Sequence, residues 1–78
     1  MDELPPLPTE PKPGRYRHYK GKLYRVHGVA RHSETLEALV VYEPLEGENR
    51  GLWVRPQSMF IETVELAGKR VSRFQFAD

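Results

Sequence analysis

The chain of 78 residues contains no cysteine. A disulfide framework and a thiolate zinc site are therefore both excluded as reinforcements of a small domain. The lack of thiols suits a reducing compartment. No apolar run approaches the roughly 18 residues that a membrane-spanning helix requires. The first residues, Met1-Asp2-Glu3-Leu4-Pro5, carry neither the basic nor the apolar region of a secretory signal. The expectation is a cytoplasmic protein with no membrane partner. The sequence also lacks an amphipathic helical stretch of useful length, an internal repeat, a Gly-rich phosphate loop and an EF-hand pattern.

What remains is enough for one domain. A chain of this size buries a modest share of its surface, so the one Trp, four Tyr and three Phe must carry much of the core. Five of the seven prolines fall in residues 1–13. Proline removes backbone donors and blocks helix and ladder alike, so this segment reads as a disordered or polyproline-II tail. Charge is uneven despite a net value of +1. Between Arg15 and Arg31 stand six cations and no acid, whereas Glu34 to Glu65 holds seven glutamates against Arg50 and Arg55. A basic side and an acidic side follow, which bears on partners and not on fold.

From Gly14 onward the chain reads as strands. Arg15 to Tyr19 is short and aromatic, Lys20-Gly21 turns, and Leu23 to Ala30 returns. Alternation in the returning strand puts Tyr24, Val26, Gly28 and Ala30 on one face and Leu23, Arg25, His27 and Val29 on the other. The small Gly28 and Ala30 point to a bulky neighbour, or Gly28 to a bulge. Leu36 to Glu43, apolar on both faces at Leu39 to Tyr42, is the expected central strand, ended by Pro44. A loop with Gly47 and Gly51 leads to Leu52–Arg55, a 3₁₀ turn is expected over Pro56–Phe60, and Ile61–Leu66 and Val71–Phe76 complete the set. Short strands with regular turns predict an all-β fold. The expected form is a small SH3-like, partly open barrel of five to six antiparallel strands with one 3₁₀ turn, spanning residues 14–78 behind the 1–13 tail.

The densest stretch runs from His32 to Pro56, where Ser33, Glu34, Trp53 and Arg55 join His32. His18, His27 and His32 with Glu34 are potential metal ligands. None has a spacing that fixes two on one helical face, and no metal or other cofactor is expected. His18 and His27 fall on adjacent strands, where they can face each other. Ser33 lacks a nucleophile elbow, and its sequence neighbours His32 and Glu34 point to opposite faces on an extended chain. Arg55 sits between Trp53-Val54 and Pro56, close to apolar surface. Buried there, it needs a carboxylate or a bound anion, and the expectation is a clasp from Arg55 to Glu34 or Glu37 that pins the His32–Glu37 loop. Trp53, the largest apolar side chain, reads as a core anchor. Arg15, Arg17, Lys20, Lys22 and Arg25 interleave with Tyr16, Tyr19 and Tyr24, which is a candidate nucleic-acid surface of cations for phosphates and rings for bases.

The order of motifs resembles a small bacterial family catalogued as domain of unknown function 1653. The resemblance rests on Gly14-x-Tyr16-x-His18-x-Lys20-Gly21, Tyr24-x-Val26, His32-Ser33-Glu34-Thr35-x-Glu37, Val40-Val41-Tyr42, Trp53-Val54-Arg55-Pro56 and Met59-Phe60-x-Glu62. It departs from the family's pattern at Leu45-Glu46-Gly47 and at Val71-Ser72-Arg73-Phe74. The resemblance implies a fold type and a hot region, with no activity attached. The leading expectation is a non-catalytic module that binds a protein or nucleic-acid partner through residues drawn from His18, Tyr24, His32, Ser33, Glu34, Trp53 and Arg55. The alternative is a small enzyme or metabolite-binding domain centred on His32, Ser33, Glu34 and Arg55. A monomer or a weak homodimer through the last strand is expected, because an edge strand presents unpaired backbone groups.

Overall fold

The computed structural model describes residues 4–77. In chain order these residues form β1 (Gly14–His18), β2 (Leu23–Arg31), β3 (Ala38–Pro44), β4 (Trp53–Pro56), α1 (Gln57–Phe60), β5 (Thr63–Leu66), β6 (Lys69–Ser72) and β7 (Phe74–Phe76). Every strand pairing is antiparallel. One sheet has the order β4-β3-β2-β1-β7, and β5 and β6 make a second. The fold is all-β, as expected, but β4 and β7 do not pair, so the ladder does not close into a barrel. No helix among the described residues is long and apolar enough to cross a membrane.

The seventh strand arises where one was expected. Val71 to Phe76 breaks at Arg73, whose N–H donates to the Glu62 carbonyl (3.1 Å) and whose carbonyl accepts from Tyr19 N–H (2.9 Å). The chain thereby leaves β5 and joins β1, so the expected single edge strand serves two sheets. The expected 3₁₀ turn is instead one α-turn, closed by Ile61 N–H on the Gln57 carbonyl at 3.1 Å. Pro56 stands before it, where its missing donor costs nothing.

A β-bulge sets which residues face inward. β2 pairs with β3 through Val26↔Tyr42 and then Gly28↔Val41, leaving His27 as the extra residue. Directly opposed residues share a face, so the inner set changes phase at the bulge, from Tyr24 and Val26 to Val29, which lies across from the fully buried Val40. The simple alternation that put Gly28 and Ala30 inward is corrected accordingly. A side chain built at Gly28 would meet nothing within 4 Å, so no bulky neighbour explains it, whereas the bulge does. The middle strand of the sheet is β2, with the apolar β3 beside it and paired on both edges.

The core is Tyr16, Val26, Val40, Tyr42, Phe60 and Phe74, with Tyr24 packed against it. Phe60 stacks on Phe74 with ring centres 4.1 Å apart and planes 3° from parallel. Tyr16 and Tyr42 meet Phe60 edge-on at 5.8 and 5.6 Å. Part of the proline-rich leader lies on this body: Pro11 is buried, Tyr16 Oη donates to the Lys12 carbonyl (2.8 Å), and Lys12 Nζ stands 4.0 Å from the centre of the Phe76 ring. Further along the leader, Arg31 Nη1 donates to the Pro5 carbonyl (2.8 Å).

Phe60 is 1% exposed and contacts three other core rings, so Phe60→Ala should cost about 3–5 kcal/mol in urea unfolding at an unchanged m value. The β5–β6 turn holds Ala67 at φ 51° and Gly68 at φ 79°. Asn tolerates that left-handed region better than Ala, so Ala67→Asn should raise the thermal midpoint, by about 0.5–1 kcal/mol of stability.

Candidate functional site

The inner face of the large sheet carries a run of aromatic residues from one edge to the other. Register places Trp53 across from Tyr42 and Arg55 across from Val40 on β4 and β3, and Tyr24 across from Tyr16 on β2 and β1. At the far edge His18 pairs with Phe74. The rings run on in sequence: Tyr42 to Tyr24 at 5.7 Å, Tyr24 to His18 at 6.2 Å, and His18 to Phe74 at 4.9 Å. The Arg55 guanidinium carbon sits 5.9 Å from the centre of the Phe74 ring. Four of the expected binding residues, His18, Tyr24, Trp53 and Arg55, therefore share one face.

Trp53 is not the expected core anchor. It is 50% exposed, because β4 is the sheet's edge and no strand among the described residues lies beyond it. Its Nε1–H donates to the Asn49 carbonyl at 3.2 Å, which holds the ring over the β3–β4 loop. Between Trp53, Tyr42 and Tyr24 lies an open cleft of about 230 Å³, whose rim carries Lys22, Glu46 and Glu48. The tyrosine hydroxyls of Tyr24 and Tyr42 have no hydrogen-bond partner among the described residues. Composition alone did not single out Tyr42, Glu46, Glu48 or Asn49. The signal that finds them is register, since Tyr42 is the residue that pairs with Trp53.

His32, Ser33 and Glu34 lie elsewhere. They form the β2–β3 loop, separated from the His18 end by the nine residues of β2, roughly 25 Å of extended strand. His32 Nδ1 accepts from the N–H groups of Glu34 (3.0 Å) and Thr35 (3.2 Å), and Leu36 N–H closes the loop on the His32 carbonyl at 2.9 Å. The loop is pinned by its own histidine. The expected clasp from Arg55 to Glu34 or Glu37 is absent: neither carboxylate pairs with Arg55, whose side chain turns inward over Phe74 instead. The potential metal ligands are dispersed too. His27, the bulge residue, pairs with Glu43 at 2.8 Å and does not face His18, which sits at the Lys22 end of the hairpin. No group of three or more His, Cys, Asp or Glu gathers among the described residues.

The basic hairpin also sorts by face. Arg15 stands opposite Arg25, and Arg17 opposite Leu23, on the side of the sheet away from Tyr16 and Tyr24. Glu43, across from Arg25 on β3, offsets some of the like-charge pairing there. Arg17 Nη1 donates to the Gly21 carbonyl (3.0 Å), Lys20 lies by the Tyr19 ring (5.8 Å), and Lys22 alone of the five cations reaches the cleft. Arg15, Arg17 and Arg25 therefore lie on the face away from Tyr16 and Tyr24, whereas Lys20 and Lys22 stay beside Tyr19 and Tyr24.

His18 is the titratable group that reports on this end of the inner face. Its Nδ1 accepts from Lys20 N–H at 3.1 Å, so the neutral ring carries its proton on Nε2. Burial, followed by the charges of Arg73, Lys20 and Arg55, pushes its pKa below the ordinary value of 6.5. Between that depressed value and 6.5 the unfolded chain holds more protons than the folded one. The His18 contribution to stability is complete above this window and is lost as pH falls through it. Urea midpoints measured from about pH 7.5 to about pH 5 should decline more steeply for the native chain than for His18→Gln.

The family described as "Protein of unknown function (DUF1653)" matches residues 14–76. The chain is also similar to a solved crystal structure, that of a DUF1653 protein from Bordetella bronchiseptica. The two share 37% identity and a TM-score of 0.80 over 88% of this chain and 90% of the other. No curated protein matches the chain. With almost the whole folded part matched in sequence and the fold shared with a solved member, the chain belongs to the DUF1653 family.

Proposed function

We propose that this protein is a non-catalytic binding module, a partly open barrel of the SH3-like kind. It takes an extended segment of a protein partner in the cleft between Trp53, Tyr42 and Tyr24. The observation that carries this reading is the exposed indole of Trp53, held at the edge of an aromatic cleft by its bond to the Asn49 carbonyl. An exposed Trp beside Tyr rings is the composition of recognition surfaces, where rigid rings give area at small entropic cost. Aromatic grooves of this kind accept polyproline-II segments, which arrive already extended.

Charge favours a peptide over a nucleic acid. The rim carries Glu46 and Glu48 against Lys22, which repels phosphate and suits an arginine or lysine on the partner. The arginines of the hairpin face the opposite way from the rings, so a base stacked on Trp53 would have few phosphate contacts nearby. A cleft of about 230 Å³ is also below the roughly 300 Å³ at which small-molecule pockets begin, which weighs against the metabolite-binding alternative.

As the one Trp in the chain, Trp53 reports its own occupancy by fluorescence. Titration with a proline-rich peptide bearing one arginine should give a saturable change that Tyr24→Ala weakens at least about tenfold, the effect of losing one well-packed ring. A response to single-stranded oligonucleotides and none to such peptides would overturn the reading in favour of nucleic acid.

A further inference from the structure

Among the described residues, Arg55 on the inner face has no carboxylate partner. Its Nε is buried and makes no hydrogen bond, and no described carboxylate lies within ion-pair distance of its guanidinium. The Phe74 ring beneath it attracts the charge but accepts none of the five N–H donors in the way an oxygen does. Arg73 makes a useful contrast. Its Nε is likewise buried without a partner, but its Nη2 is held by Glu62 Oε1 at 2.7 Å. A half-buried guanidinium without a counter-charge is costly, and a bound anion would supply the missing charge.

We propose that Arg55, with His18 against the same Phe74 ring and Arg73 beside that ring in the chain, forms a binding site for an oxyanion, a carboxylate or phosphate group presented to the guanidinium beside Phe74. The planar fork of arginine fits both groups through paired N–H donors. The local charge has the right sign. Lys20 from the turn after β1, Arg73 before β7 and Arg55 from β4 all act on His18, and among the described residues Glu62, already engaged by Arg73, is the acid paired with this set. The Tyr24 ring, 6.2 Å from His18, is the wall between this site and the Trp53 cleft. The site does not rest on the peptide reading, since a small anion can occupy it with the cleft empty.

His18 supplies an internal gauge. The three cations that now disfavour its protonated form would be partly neutralised by a bound anion, so occupancy should move its titration midpoint upward. The test is an NMR titration of ¹⁵N-labelled protein with inorganic phosphate and, separately, with acetate, at ionic strength held constant with chloride. The expected result is a saturable shift centred on the His18 ring and the Arg55 Nε–H, with the His18 midpoint raised. Arg55→Gln should weaken this binding at least about tenfold, the loss of one charge-assisted hydrogen bond. Arg55→Lys, which keeps the charge and loses the fork, should fall between. A response to phosphate alone identifies a phosphate site, and a response to both extends it to carboxylates. No saturable shift with either anion, or an Arg55→Gln variant that responds as the native chain does, would overturn the proposal. Should Arg55→Gln fail to fold, Arg55→Lys and the His18 midpoint of the native chain decide it.

Discussion

Phe74 is the ring against which the rest of this structure is arranged. It lies at the start of a three-residue strand, yet it stacks on Phe60 from the helical turn and meets Tyr24, Tyr42 and His18 from three strands of the large sheet. Arg55 from a fourth strand lies over it. Five short strands with no closing ladder have few other means of holding their curvature, since hydrogen bonds run only between neighbours in the order β4-β3-β2-β1-β7. Side chains crossing the interior do what a closing ladder would do in a full barrel. The break at Arg73 makes this possible, because the chain must leave β6 for Phe74 to reach the inner face at the β1 edge.

That constraint explains which features were legible in the sequence. Local patterns identified the hairpin of β1 and β2, the apolar β3 and the turn at Gly21, because each depends on alternation and turn chemistry within a few residues. The bulge at His27 was visible as a glycine in a strand. Its consequence, a reversed face for Val29, depends on the partner strand and cannot be read from β2 by itself. The division of Val71–Phe76 was hidden for the same reason, since nothing in Val-Ser-Arg-Phe-Gln-Phe distinguishes one strand from two.

The site residues divide along the same line. His18, Tyr24, Trp53 and Arg55 were singled out from local composition and do share a face. His32, Ser33 and Glu34 were grouped with Arg55 because they are dense in charge and close in sequence. Antiparallel pairing does bring Arg55 across from Val40, near their loop, but its side chain turns over Phe74 and the histidine spends its acceptor on its own backbone. Trp53 was misjudged because size argues for burial only where a second layer exists. The edge of a five-stranded sheet offers none, and an indole with one anchored N–H is stable there with half its surface in water.

Arg55 and Trp53 stand two residues apart on one edge strand and point to the same side, yet they meet opposite environments. Trp53 reaches the loop, where Glu46 and Glu48 make the surroundings acidic. Arg55 turns over Phe74, beside His18, on which the charges of Arg73, Lys20 and Arg55 act together. Two residues of strand, roughly 7 Å, therefore separate surroundings of opposite sign, with Tyr24 and Tyr42 as the low-dielectric wall between them. On the proposed readings, a ligand that spans this edge would present a positive or neutral end to the tryptophan and a negative end to the arginine. Such a polarity fixes the direction in which an extended segment can lie, and a uniformly charged polyanion cannot satisfy both ends at once.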